Sequence, residues 1–391
     1  MDSPFLHYVQ YLMVVGGIFP VGLINSHKRI YILYRYVTHA LLFLFLFCLF
    51  DGNKDFHGSK EMLFKYINDR ILVIVIYINL VTSMSENFDE LIFEMIAYEA
   101  ELADVGTEKH LKINEQIVTK TRRVQVFYMS NILACYVALV VPAFVEYAVV
   151  QASEKSTNIT INTYTATPYE FWVPFEESKH YLALLLIQAY YFALMGVSIY
   201  CPFQIILINL FLTVILRLKM LRANIESMND IDTLDVNKFI RIYAKEHIDI
   251  MRNCRFLNDT MKYAMLLEFL ITSGELSMFI FIVIMTNSPN SKMFSGACIV
   301  NLLVKILILC WHADQIREES IGISDAVYEL PWFEYDKSDV TSLHIIMMRS
   351  QKPLTLTIGP FGTMTLELAV KIFKATYTYV TFMQNVYGKL D

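Results

Sequence analysis

The chain has 391 residues, of which 55% are hydrophobic and only 18% charged, with a mean hydropathy of +0.44. Soluble domains carry roughly 25% charged residues, so this composition argues against a soluble enzyme and for a chain built into a membrane. A net charge of −6 gives no electrostatic footprint for a nucleic-acid partner. The six cysteines form no CxxC pair, and five lie in or beside apolar runs. They read as small packing residues rather than as a disulfide framework.

Taken in chain order, residues 5–24 are apolar but follow Met1-Asp2 rather than a basic segment, and His7, Gly16, Gly17 and Pro20 interrupt them. This stretch is expected to be an interfacial helix, not a signal peptide or a span. A membrane-spanning helix needs roughly 20 apolar residues. Seven such runs follow, at 36–50, 71–84, 124–150, 181–218, 256–285, 293–311 and 363–383. The fourth is too long for one crossing and is expected to continue beyond the bilayer. Residues 235–261 place apolar side chains at helical spacing, from Phe239 and Tyr243 through Ile250, Cys254, Leu257 and Met261. They predict an extension of the fifth helix, and residues 313–353 a small helical unit on the same side.

Basic residues in the loops set the orientation. The side holding the N-terminus carries 21 lysines and arginines against 8 on the other. The expected fold is therefore all-α, a seven-transmembrane bundle with a cytoplasmic N-terminus, an extracellular C-terminus and a cytoplasmic helical anchor. A G-protein-coupled receptor has the opposite orientation. The sequence also lacks its DRY and NPxxY motifs, and the predicted outer loops contain no cysteine. A secondary transporter, the alternative reading, usually shows internal repeats, and none is visible. Zinc-protease, Walker A, dinucleotide-binding and nucleophile-elbow motifs are all missing, so neither catalytic residues, metal nor cofactor are expected.

The most informative stretch lies near the C-terminus. It runs through Asp325-Ala326-Val327-Tyr328 and Pro331-Trp332 to Met348-Arg349-Ser350-Gln351-Lys352-Pro353-Leu354. Gly359 and Gly362 then mark a backbone break, and Ala375-Thr376-Tyr377-Thr378-Tyr379-Val380-Thr381 follows. This closely resembles the signature of insect odorant receptors, and Gly16 to Gly22 resembles their N-terminal region. The long insertion between helices four and five that marks the co-receptor is not obvious here. The resemblance thus implies a ligand-tuning subunit that forms a heterotetrameric cation channel with the co-receptor, in the plasma membrane of an olfactory dendrite. It implies two parts: residues 1–312 as the ligand-binding bundle, and 313–391 as cytoplasmic anchor and pore-lining last helix.

The last helix also points to a pore on its own chemistry. Glu367, Lys371, Lys374, Thr378, Phe382 and Asn385 fall on one stripe at ~100° per residue. Such a stripe must face protein or water rather than lipid; a helix–helix seam with snorkelling lysines is the other reading. By resemblance, the narrowing lies at the outer end, which carries Thr378, Thr381, Phe382 and Asn385. The family places a small volatile ligand in the outer half of the bundle. By depth, the candidates are Tyr77, Phe144, Tyr147, Ile187, Gln188, Tyr191, Phe192, Phe279 and Ile280. Two further expectations concern the loops and the core. The sequon at Asn158 should carry glycan and the one at Asn258 should not. Glu275 and Lys305, at matching predicted depths, should pair or share one polar network.

Overall fold

The computed structural model describes Leu6 and residues 9–24, 27–50, 60–157, 180–230 and 236–387. The Asn158 sequon lies outside the described residues. Helices account for nearly all of the described chain, and its only β-pairing is an isolated bridge between Thr357 and Thr363. No disulfide joins the cysteines.

The N-terminal stretch forms a seven-residue helix, α1 (Gln10–Gly16). One side of it packs into the core, where Val9, Met13 and Ile18 are fully buried, while Tyr11 and Val15 on the other side are exposed.

The long helices follow as α2 (Lys28–Phe50), α3 (Lys60–Ser83), α4 (Glu86–Val105), α5 (Glu108–Thr157), α6 (Tyr181–Phe192), α7 (Cys201–Glu226), α8 (Val236–Met285) and α9 (Pro289–Tyr328). A wider π-helical stretch, Ala193–Tyr200, joins α6 to α7, making one rod from Tyr181 to Asn229. Among the described residues, five helices are long and apolar enough to cross a membrane. The pair α3 and α4, bent by 67°, adds a sixth if the two count as one broken span. The seventh expected span is α11 (Leu366–Tyr387), whose polar stripe lowers its hydropathy. It follows the short α10 (Lys337–Ser350).

Burial sorts these rods as their sequences dictate. The apolar window of the α6–α7 rod is entirely buried, because residues 201–218 carry apolar side chains around the whole helix, with few polar exceptions such as Gln204 and Asn209, and suit a central helix. Only 28% of the window in α2 is buried. Its Phe43, Leu44 and Phe47 point outward, as side chains facing hydrocarbon do. Sequence patterning did not foresee α4. Its break from α3 is a local capping event: the Ser85 hydroxyl accepts from the Phe88 amide at 3.3 Å, opening a new helix.

Beyond the thickness a membrane requires, α5, α7, α8 and α9 continue together with α10 as a packed unit. Lys219 pairs with Glu319 at 3.4 Å, and Asn237 donates to Asp339 at 2.5 Å. Helix α9 runs unbroken through residue 313, so bundle and anchor share it. The signature stretch closes this unit. The Leu354 amide donates to the Ser320 hydroxyl at 2.9 Å, and Arg349 Nη1 to the Lys352 carbonyl at 2.9 Å. The break before α11 uses positive φ at Gly359 (50°) and Gly362 (120°), a region that favours glycine. Asn258 Oδ1 accepts from both the amide and the hydroxyl of Thr357, at 2.6 and 3.0 Å, so this side chain is occupied inside the fold.

Candidate functional site

A cavity opens where α3, α5, the π-helical stretch, α8 and α9 converge, with about 590 Å³ of space between atoms, part of it continuous with the exterior. Its walls are mostly apolar: Leu72 and Ile76 from α3, Ile132 and Cys135 from α5, Met195 from the π-helical stretch and Phe294 from α9. Four polar or small groups interrupt them: Gly196, Tyr200, Glu275 and Asn301. A π-helical turn widens the backbone and re-aims side chains, and such turns recur at functional sites. Here that turn supplies Met195, Gly196 and Tyr200.

Of the nine residues singled out by depth, Phe192 and Phe279 line this cavity. Ile280 lies instead in an apolar groove against Phe373, Thr376, Tyr377 and Val380 of α11. Tyr191 stacks on Phe45 with centroids 4.3 Å apart. Tyr77 lies 6.5 Å from Phe43, and Tyr147 lies 6.0 Å from Tyr181. Phe144 is half-buried against the core, Gln188 is buried, and Ile187 is 40% exposed. Depth alone selects residues on every face of a helix, whereas a cavity takes only one. Leu72, Ile76 and Ile132 carried no sequence signal to separate them from ordinary core.

Beside the cavity runs a buried polar network. Lys305 Nζ donates to Thr272 Oγ1 at 2.7 Å and meets Glu268 Oε1 at 3.4 Å. Gln204 Nε2 donates to the same carboxylate oxygen. The Lys305 ammonium also lies 5.7 Å from the Tyr200 ring centroid, within cation–π range. Glu268, Thr272 and Glu275 share one face of α8 at helical spacing. The direct partner of Lys305 is thus Glu268 rather than Glu275. The reason is the start of α9 at Pro289, ahead of the expected Met293. Lys305 lies 16 residues into α9, level with Glu268 at 17 residues from the Met285 end of α8, while Glu275 lies only 10 from that end.

On α11, Glu367, Lys371, Lys374, Thr378, Phe382 and Asn385 are all exposed. Ala369, Ile372, Thr376 and Val380 are buried against α8 and α9. Glu367 and Lys371 pair at 2.8 Å. The Thr378 and Thr381 hydroxyls donate to the carbonyls of Lys374 and Tyr377, at 3.0 and 2.8 Å. The subunit therefore presents a whole helix face that its own fold does not cover.

A cavity between long apolar helices, with a polar helix face turned outward, is the architecture of a polytopic helical membrane protein. A solved structure of this fold, the olfactory receptor OR5 from Machilis hrabei in complex with eugenol, superposes with a TM-score of 0.82 at 15% identity, over 98% of this chain and 100% of that one. The family model described as 7tm Odorant receptor matches residues 71–377, and the chain belongs to that family. It is 28% identical over 228 residues to "Odorant receptor 10" of Aedes albopictus, spanning 56% of this chain and 60% of that relative. It is 23% identical over 145 residues to "Odorant receptor coreceptor" of Harpegnathos saltator, spanning 37% and 30%. The chain thus matches less than two thirds of the length of these curated relatives, and it resembles the first more than the co-receptor.

Proposed function

We propose that this chain is the ligand-tuning subunit of a ligand-gated, non-selective cation channel. It opens when a small volatile molecule fills the cavity between α3, α5, α8 and α9, in the outer half of the bundle. The observation that carries this reading is the uncovered polar face of α11. A row containing Glu367, Lys371, Lys374 and Asn385 is costly against lipid, so it calls for water or neighbouring subunits. Similarity to co-receptors supports one of them as the partner, in a tetramer within the plasma membrane. Membrane lipids cover the outward apolar side chains of helices such as α2, and no nucleic acid takes part. The excess of loop lysines and arginines supports a cytoplasmic N-terminus, with Asn158 outside as the glycan acceptor. Residues 1–312 then carry the ligand, while residues 313–391 supply anchor and pore.

Recording currents from cells that express the chain with and without a co-receptor, with G-protein signalling blocked, tests the whole reading. Ligand-evoked cation current is expected only from the pair. Current that vanishes with the G-protein block would overturn it.

The outer end of α11 supplies a second test. Phe382 is 65% exposed, and in a tetramer it would stand at the narrowing, where an apolar ring stops ions by dewetting. Asn385, nearly one turn further, would line the opened path, with Thr378 and Thr381 beside it. Phe382→Ala is expected to raise basal current or slow closing, partially because other subunits contribute their own side chains. Asn385→Asp is expected to change the relative permeability to divalent cations. Neither should alter ligand rank order. Altered ligand preference with unchanged gating and permeation would make α11 a binding element instead.

A further inference from the structure

The polar groups of the cavity are unequal in kind. Glu275 is 2% exposed, lines the cavity, and its Oε1 has no hydrogen-bond partner. Asn301, 8% exposed and also in the wall, has an amide oxygen without a partner. Close by, Glu268 Oε2 and Gln204 Oε1 are likewise unmatched. The neighbouring donors turn elsewhere, Lys305 to Glu268 and Thr272 and Gln204 Nε2 to Glu268, and none reaches Glu275 Oε1. Four buried oxygens at or beside the cavity thus lack a donor. A carboxylate oxygen left without a donor in an apolar cavity is strongly unfavourable. A ligand can relieve this by bringing an N–H or O–H.

We propose that Glu275 is the specificity-determining residue of the cavity, and that the cavity selects small, largely apolar molecules bearing one hydrogen-bond donor directed at Glu275 Oε1. This rests on the reading of the cavity as the ligand site. Phe192, Tyr200, Phe279 and Phe294 line the same cavity as Glu275, which suits a flat body carrying either a neutral hydroxyl or an ammonium group. Isosteres without the donor fill the same space but leave the oxygen unmatched. Sites built around a polar contact discriminate against such analogues far better than apolar pockets do.

The test uses four probes with equal numbers of heavy atoms: benzyl alcohol, benzylamine, benzaldehyde and ethylbenzene. Binding to the full-length protein, purified with its co-receptor, is followed by ligand-observed NMR. At least one donor-bearing probe is expected to bind ~10-fold more tightly than benzaldehyde and ethylbenzene, the ratio that one satisfied buried acceptor supplies. Preference for benzyl alcohol marks a neutral donor, and preference for benzylamine a cationic one. Glu275→Leu should erase the preference, while Glu275→Gln, which keeps an acceptor oxygen, should retain part of it for benzyl alcohol. Tighter binding of benzaldehyde means that Glu275 itself carries a proton and donates, which overturns the proposal. So does equal binding of all four probes, a preference unchanged in Glu275→Leu, or no binding of either donor probe at millimolar concentration. Gly196→Trp separates this from failure of the site itself. If that substitution leaves every probe bound, the cavity is not the ligand site. If it abolishes binding but Glu275→Leu leaves the ranking intact, only the inference fails.

Discussion

Replacing Lys305 with methionine is expected to destabilise the receptor by about 3–5 kcal/mol, because it leaves the Glu268 carboxylate buried without its counter-charge. Lys305 and Glu268 are 3% and 2% exposed, so water cannot take over the lost interaction. The variant should reach the cell surface poorly, and the purified protein should unfold at a clearly lower temperature. The double variant Lys305→Met with Glu268→Gln removes the stranded charge and should recover much of the loss. Gln204 and Thr272 still surround position 268 and can bond an amide. If the single variant unfolds at the wild-type temperature, Lys305 and Glu268 are not a coupled pair. If the double variant is worse than the single, the cost lies in packing around the lysine stem, not in charge.

This pair also marks how far the sequence could be read. Apolar runs of spanning length are a strong signal because backbone in hydrocarbon must satisfy its own hydrogen bonds, and each of the seven corresponds to a helix. The burial of Lys305 and Glu275 followed from the cost of charge in such runs. Which carboxylate meets the ammonium did not follow. That depends on where α9 begins, and Pro289, the first residue of α9, sits before the apolar run becomes obvious. Cavity residues such as Leu72 and Ile132 stayed hidden for a related reason. A side chain beside an empty space and one beside another side chain obey the same hydrophobic pattern, and only the relative rotation of five helices distinguishes them. The exposed stripe of α11 was legible because polar residues at helical spacing stand out against an apolar run. The helix α4 was not, since its amphipathic residues are too charged to register as a span.

Gly16 is the second position where a single change should have a large effect. A Cβ added there would sit 2.0 Å from the Ser198 carbonyl oxygen and 2.7 Å from its carbon. These are backbone atoms of the π-helical stretch and cannot swing aside. At Gly22, by contrast, a Cβ would meet the tip of the Phe93 ring at 2.5 Å. That side chain is 39% exposed and can rotate away. The neighbouring Gly17, at φ 71°, turns the chain so that the Ile18 amide donates to the Met13 carbonyl at 2.9 Å, which directs Ile18 into the core. Gly16→Ala must therefore either push α1 off the bundle, exposing Val9, Met13 and Ile18, or displace the π-helical stretch. Overpacking of this kind costs about 1–3 kcal/mol, and occasionally more; contact with rigid backbone places Gly16→Ala at the upper end. The same π-helical stretch supplies Met195, Gly196 and Tyr200 to the cavity, so ligand response should weaken along with thermal stability. Gly22→Ala should leave both nearly unchanged. Thermal unfolding of the two variants side by side, with a ligand dose–response for each, reads the contrast. Equal behaviour of the two would mean that α1 does not depend on close backbone contact at residue 16, and that the Gly16–Ser198 approach is not what holds it.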